Sequence, residues 1–422
     1  MIIEMLSTGD EVLQGDIVDT NASWVGQQLS ELGLKFSRRQ TVADDLPTLI
    51  EVMDEACRRA DWLLVNGGLG PTSDDLSNEA AAKLLGVPLE LNNRWLESIE
   101  QWYQKLDRVM PKSNIKQAML AQGAEMIPNP IGTACGSIIR HHQCQVLFTP
   151  GVPSEFKRMV TDHWLPRLGS KNDQVTIKRF FTFGLSESGV NDRFAALQLP
   201  EHVRLGYRAA RPHIEIKVFS EQCRHQETER VYQDIRHLLG AQLFSEDSGD
   251  WCALLQQQMI AKHLKLTVAE SCTGGMLASQ IVGQAGSSEY FERGFVTYTN
   301  LAKEQMLGVS HALLEQYGAV STQVAAAMAT GALAHSQADI ALSITGIAGP
   351  GGGSESKPVG TVCFALASAG QCWVQHLQLP GRSRIAIRET AAATALDMLR
   401  RYLNQLPIAG EYDLIKRIEE AS

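Results

Sequence analysis

Leu264-Lys-Leu-Thr-Val-Ala269, then Glu270-Ser-Cys-Thr-Gly-Gly275, then Met276-Leu-Ala-Ser-Gln-Ile-Val282 decide how this chain is read. The apolar start reads as a short buried strand and the last segment as a helix. Ser271 therefore falls in a strand-to-helix turn. Such a turn exposes a hydroxyl at the sheet edge and points the amides of a helix N-terminus at a ligand. Gly274 and Gly275 allow close approach to the backbone. Two readings follow: Ser271 is a helix cap, or it is a nucleophile with the helix-end amides near Gly274 and Gly275 as N–H donors for an oxyanion.

At 422 residues the chain predicts two or three domains. The formal net charge of −9 argues against direct nucleic-acid contact, which leaves a basic footprint. Small anionic substrates remain compatible, because a nest of amides binds phosphate whatever the bulk charge. The eight cysteines, at 57, 135, 144, 223, 252, 272, 363 and 372, contain no C-x-x-C pair. The N-terminus reads as a first strand and no apolar run reaches membrane length. The expectation is a reduced, cytoplasmic protein with no membrane association.

Strand and helix patterns alternate over the first 165 or so residues, the rhythm of a parallel sheet flanked by helices. Strands are expected at 2–8, 62–65 and 145–148, and helices at 21–32, 46–60, 79–85 and from 154. Thr20 or Asn21 is the expected cap of the first helix. Residues 170–248 read instead as a small strand–helix–strand–strand–helix module, with 245–250 as a polar linker. From about 251 a second α/β pattern begins, with strands at 264–269, 293–299, 339–345 and 359–368. Helices at 321–335 and 384–403 complete it. The fold class is α/β: two three-layer domains (1–168 and 249–422) joined by an α+β module (169–248).

Two further features join Ser271. Gly294-Phe-Val-Thr-Tyr-Thr-Asn300 precedes Lys303. Asn300 is expected to cap a helix with Lys303 in its first turn, where the helix dipole and burial disfavour an ammonium. Lys303 reads as a general base toward serine or as a solvated helix lysine. Tyr298 reads as its partner or as a plain strand aromatic. Thr345-Gly-Ile-Ala-Gly-Pro-Gly-Gly352 is a glycine-rich loop after a buried strand, suited to phosphate approach, with Thr345 as a hydroxyl donor. A surface loop is the competing reading. Ser354-Glu-Ser-Lys357 matches S-x-x-K, but it lies between triple glycine and Pro358, so a helix is not expected and the motif is set aside.

In the N-terminal region, Gly67-Gly-Leu-Gly-Pro-Thr-Ser-Asp-Asp75 follows a strand. Gly67, Gly68, Gly70 and Thr72 are expected to hold phosphate, with Asp74 and Asp75 on a divalent cation (Mg, Mn or Co). A capping role for the Asp pair is equally compatible. Asp10 and Asn21 belong to a second polar loop at the same sheet edge.

These motifs resemble the CinA family over nearly the whole chain. Ala269-Glu-Ser-Cys-Thr-Gly-Gly275, the 294–300 run with Lys303, and the 345–352 loop are similar to its nicotinamide mononucleotide deamidase domain. The resemblance implies conversion of nicotinamide mononucleotide to nicotinate mononucleotide and ammonia without a metal. It implies Ser271 as nucleophile, Lys303 and Tyr298 as proton handlers, and nucleotide contacts from Thr345, Gly346, Gly349 and Gly351. The 67–75 run resembles the molybdopterin-binding fold shared with MoaB, MogA and MoeA. In CinA relatives that domain implies a metal-dependent ADP-ribose pyrophosphatase, with a pterin- or nucleotide-binding module or a competence-related interaction protein as alternatives. The family commonly has Thr at the position of Ser77 and Pro at that of Cys135. The middle module resembles the family's KH-type linker without a GxxG clamp. Family members tend toward homodimers.

Overall fold

The computed structural model describes residues 1–169, 175–221, 225–381 and 383–418, and the chain divides into two compact units, Met1–Val175 and Thr176–Ser422. Among the described residues, no helix is long and apolar enough to cross a membrane. Cys57, Cys135, Cys144, Cys252, Cys272 and Cys372 are free thiols; Cys223 lies outside the described residues.

The first unit runs β1 (Ile3–Thr8), α1 (Asp10–Leu13), α2 (Thr20–Glu31), β2 (Phe36–Val42), α3 (Leu46–Cys57), β3 (Trp62–Asn66), α4 (Ser77–Leu85) and β4 (Leu89–Leu91). It continues with α5 (Asn93–Lys105), β5 (Met119–Ala121), β6 (Glu125–Ile127), β7 (Gly136–His141), β8 (Cys144–Thr149) and α6 (Pro153–Met159). Its six-stranded sheet has the order β2-β1-β3-β8-β7-β6. The first four of these strands are parallel, whereas β7 pairs antiparallel with β8 and β6 antiparallel with β7, so the expected parallel sheet is mixed. Successive side chains of a strand face opposite ways. Accordingly Leu63 and Val65 pack toward α3 and α4, while Trp62 and Leu64 pack toward α2 and α6. The cap of α2 is Asp19, not Thr20 or Asn21: its carboxylate accepts from the Ala22 amide at 2.8 Å.

The second unit begins with β9 (Val175–Phe183), α7 (Glu187–Phe194), β10 (Val203–Ala210), β11 (His213–Glu221), α8 (His225–Leu239) and β12 (Leu243–Glu246). Its sheet order is β10-β11-β9-β12. β12 takes in Ser245 and Glu246, which the polar composition assigned to a linker; the Glu246 carboxylate pairs with Arg236 and Lys178, and the Ser245 hydroxyl donates to the Glu246 carbonyl. Trp251 stacks on Phe244 with ring centroids 3.8 Å apart, and Arg400 donates to the Ala241 carbonyl at 2.7 Å.

There follow α9 (Trp251–Ala261), β13 (Leu266–Glu270), α10 (Met276–Val282), β14 (Phe291–Val296), α11 (Asn300–Leu307), α12 (His311–Tyr317) and α13 (Thr322–Ala334). The chain continues with β15 (Ile340–Gly346), β16 (Thr361–Ser368), β17 (Gln371–Gln378), α14 (Arg384–Leu403) and β18 (Lys416–Arg417). The sheet order is β14-β13-β15-β16-β17-β18, parallel across the first three strands and antiparallel beyond. The two faces differ in size. Leu342, Ile344, Phe364 and Leu366 fill the side under α9, α10 and α14. Ala341, Cys363, Ala365 and Ala367 face the alanine-rich α13, which small side chains allow to lie close. The Ser343 hydroxyl bridges that gap to the Ala325 carbonyl at 2.6 Å.

Candidate active sites

β13 ends at Glu270, and the turn 271–275 delivers Ser271 above the sheet, its amide bound to the Ile344 carbonyl at 2.9 Å. Gly275 has φ +89°, a left-handed conformation that glycine adopts without strain, and it starts α10. The amides of this helix end are already taken. The fully buried Glu270 carboxylate accepts from Gly275 (3.1 Å), Leu277 (3.1 Å) and Ala278 (2.8 Å). The Gly274 amide is bound to the Ser271 carbonyl at 3.1 Å. Gly274 and Gly275 are therefore not the oxyanion donors expected from the sequence. Among the described residues no backbone carbonyl accepts from the Cys272 or Thr273 amide.

Lys303 reaches Ser271 from α11. Thr299, not Asn300, caps that helix by accepting from the Ala302 amide at 3.1 Å. Lys303 is 1% exposed; its Nζ lies 3.0 Å from Ser271 Oγ and 2.8 Å from the Thr297 carbonyl. Among the described residues no carboxylate pairs with it, and burial holds its pKa below the ordinary lysine value. The solvated-lysine reading is thereby ruled out. Tyr298 is not part of this dyad. It is 60% exposed, and its hydroxyl accepts from Arg384 Nη2 at 3.1 Å.

The glycine-rich loop plays a narrower part than expected. The Thr345 hydroxyl is committed to the Ala319 carbonyl at 2.7 Å, so it is not a phosphate donor. Gly346 is the last ladder residue of β15, opposite Val362. Gly349 offers its carbonyl to Arg384 Nη1 at 2.8 Å, and Gly351 is exposed. The Ser354–Lys357 match is not helical; Lys357 Nζ donates to the Tyr317 and Val320 carbonyls. The cations the sequence reading missed are Arg384 and Arg388 on the first turns of α14. Arg388 Nη2 donates to the Thr273 carbonyl, and its Nε is buried without an acceptor among the described residues. Two arginines four apart at a helix start, where the dipole disfavours cations, were the available signal.

The other site lies in the first unit, at the carboxyl ends of its parallel strands. A cleft of about 470 Å³ is lined by Gly67, Gly68, Gly70, Asn21, Asp74 and Asp75 among others. At Gly67 a side chain would meet the Thr8 carbonyl oxygen at 2.6 Å, so β1 and the loop approach closely only because glycine stands there. Asn21 donates to Asn66 and to the Gly151 carbonyl, while its Oδ1 is buried without a partner among the described residues. Asp10 and Thr72 do not line the cleft. Asp10 is exposed in α1 and its neighbour Glu11 lines the cleft instead; Thr72 turns its amide and hydroxyl to Asp75. Asp44 and Glu155, both missed, also line the cleft, and burial raises both carboxyl groups above their ordinary values. Cys135 is buried against Trp95 and Ile99, outside the cleft lining, and Ser77 keeps a hydroxyl bond to the Gly67 carbonyl. The oxygen-only donors fit a hard divalent cation.

Comparison with known proteins accords with both halves. Residues 4–170 match the family described as "Probable molybdopterin binding domain", and residues 251–403 match the CinA C-terminal domain. The CinA-like protein of Shewanella woodyi is 45% identical over 424 residues, covering 100% of each chain. The chain belongs to the CinA family. A second CinA-like protein, from Shewanella piezotolerans, is 43% identical over the same coverage. Among solved structures, the competence/damage inducible protein CihA of Agrobacterium tumefaciens is 45% identical. That match covers 37% of this chain and 98% of the other, with a TM-score of 0.35.

Proposed function

We propose that the second unit hydrolyses the carboxamide of nicotinamide mononucleotide, and that the buried Lys303–Ser271 contact carries the reaction. A neutral Lys303 accepts the Ser271 proton as Oγ attacks the amide carbon. The Cys272 and Thr273 amides receive the oxyanion. The carbon–nitrogen bond breaks, and the Lys303 ammonium returns its proton to the departing ammonia. Water, deprotonated by Lys303, then attacks the acyl-serine ester, releasing nicotinate mononucleotide and regenerating Ser271. Arg384 and the unpartnered Nε of Arg388 suit the substrate phosphate. Ammonia release from nicotinamide mononucleotide by wild type and Ser271→Ala, with EDTA present, tests the reading. No release by folded wild-type protein overturns it.

For the first unit we propose cleavage of ADP-ribose to AMP and ribose 5-phosphate. Asp74 and Asp75 would hold a divalent ion, which when bound neutralises diphosphate charge and acidifies a water. The Gly67–Gly68 turn receives the diphosphate, and Asn21 Oδ1 accepts from a substrate donor. AMP release separates this reading from a binding module, which gives affinity without product.

A further inference from the structure

At the sheet edge of the first unit opposite its cleft, three side chains meet. The cleft lies at the carboxyl ends of β1, β3 and β8. β7 ends at His141 and β8 begins at Cys144, five residues before its cleft end at Thr149. The separation along the strand is thus roughly 17 Å. His142, in the turn between them, has φ +54°. Consecutive strand residues point to opposite faces, but this left-handed turn puts both imidazoles on one side, with ring centroids 4.1 Å apart. Asp54, in the last turn of α3, faces them. Its Oδ1 lies 2.8 Å from His141 Nε2 and 3.2 Å from His142 Nε2. One ligand atom from each residue falls within 4.8 Å of the others.

We propose that Asp54, His141 and His142 bind a divalent transition-metal ion of the zinc class. Two imidazoles and one carboxylate are a common three-ligand protein set for Zn²⁺, with water completing the tetrahedron. Imidazole donors favour Zn²⁺, Co²⁺, Ni²⁺ and Cu²⁺ over Mg²⁺ and Ca²⁺, so this site differs in chemistry from the oxygen-lined cleft. Access is open, since the His142 side chain is 47% exposed. Arg58 holds the other Asp54 oxygen at 2.6 Å, but its side chain is 68% exposed, and such a surface pair yields readily to a metal. Cys57 and Cys144 are buried nearby and are not in the donor set. The bound ion ties the end of α3 to the β7–β8 hairpin. It is a clamp and takes no part in chemistry at the cleft.

The test is titration of the tag-free full chain with Co²⁺, read by visible absorption. A four- or five-coordinate histidine site gives an intense band, whereas a six-coordinate oxygen site is nearly colourless. One equivalent of intense band, displaced by Zn²⁺, is expected. His142→Asn keeps a residue tolerant of the left-handed turn and should weaken Co²⁺ binding at least tenfold, with metal-free melting unchanged. His141→Gln/His142→Asn should abolish the band. An intense band that survives in the double variant, or its absence from wild type at millimolar Co²⁺, overturns the proposal.

Discussion

Lys303 Nζ lies 3.0 Å from Ser271 Oγ, although the two residues come from elements separated by the whole of α10 and β14. Burial, with no carboxylate partner among the described residues, favours the neutral amine that the proposed proton transfer from Ser271 requires. Ser271→Ala should cut kcat for ammonia release by roughly 10³-fold or more. Lys303→Met should cut it by roughly 10²–10⁴-fold. Single-turnover assays on folded variants check both.

The pH profile follows from the direction of the Lys303 shift. Its folded pKa lies below the ordinary 10.5 because of desolvation. The protonated form is inactive, so kcat/KM should rise with pH along a limb whose midpoint lies below that value. A limb at or above the ordinary lysine value would remove Lys303 as the base.

Tyr298 holds Arg384, not the Ser271 proton. Tyr298→Phe should therefore raise KM by about threefold to tenfold, the net worth of one ordinary hydrogen bond at an exposed contact, and leave kcat within about threefold. A fall in kcat alone, of roughly 10²-fold, would instead mark a proton relay.

The strand-to-helix turn at Ser271 was legible because the apolar period changes there from a buried strand to a helix. Lys303 was legible from its place in the first turn past Asn300, although the cap itself is Thr299. Glu270 stood inside the same motif, yet nothing in sequence says that a strand-end carboxylate will fold back onto three helix amides. Arg384 and Arg388 join Ser271 only through tertiary packing. β2, Phe36-Ser-Arg-Arg-Gln-Thr-Val42, escaped notice because it is a sheet edge with mostly polar side chains. The antiparallel half of the second sheet turned on Ala369-Gly370, whose positive φ values make the β16–β17 hairpin. Asp10 and Glu11 are adjacent acids in one short helix, and only the fold decides that Glu11 faces the cleft.

The two proposed activities should separate with metal removal. EDTA should abolish AMP release from ADP-ribose and leave ammonia release unchanged, because the proposed Ser271–Lys303 mechanism uses no cation. Asp74→Asn with Asp75→Asn should bring AMP release to background while ammonia release persists. Parallel product assays on one preparation read both. Loss of ammonia release in EDTA would contradict the lysine-base mechanism.

Lys303 should also be a stability cost that its chemistry requires. Burying an amine favours the unfolded chain, where the amine is solvated, and Lys303→Met keeps the length while removing the polar group. The variant should be more stable by about 1 kcal/mol at pH 7 despite its lost activity. Between the lowered folded pKa and the ordinary 10.5, the unfolded chain binds more protons at this residue than the native one. Wild-type stability therefore rises with pH in that window through this group. The advantage of Lys303→Met should shrink as pH climbs across it, as read by urea unfolding at several pH values. A variant less stable than wild type throughout would show that the bonds of Lys303 to Ser271 and Thr297 outweigh its desolvation.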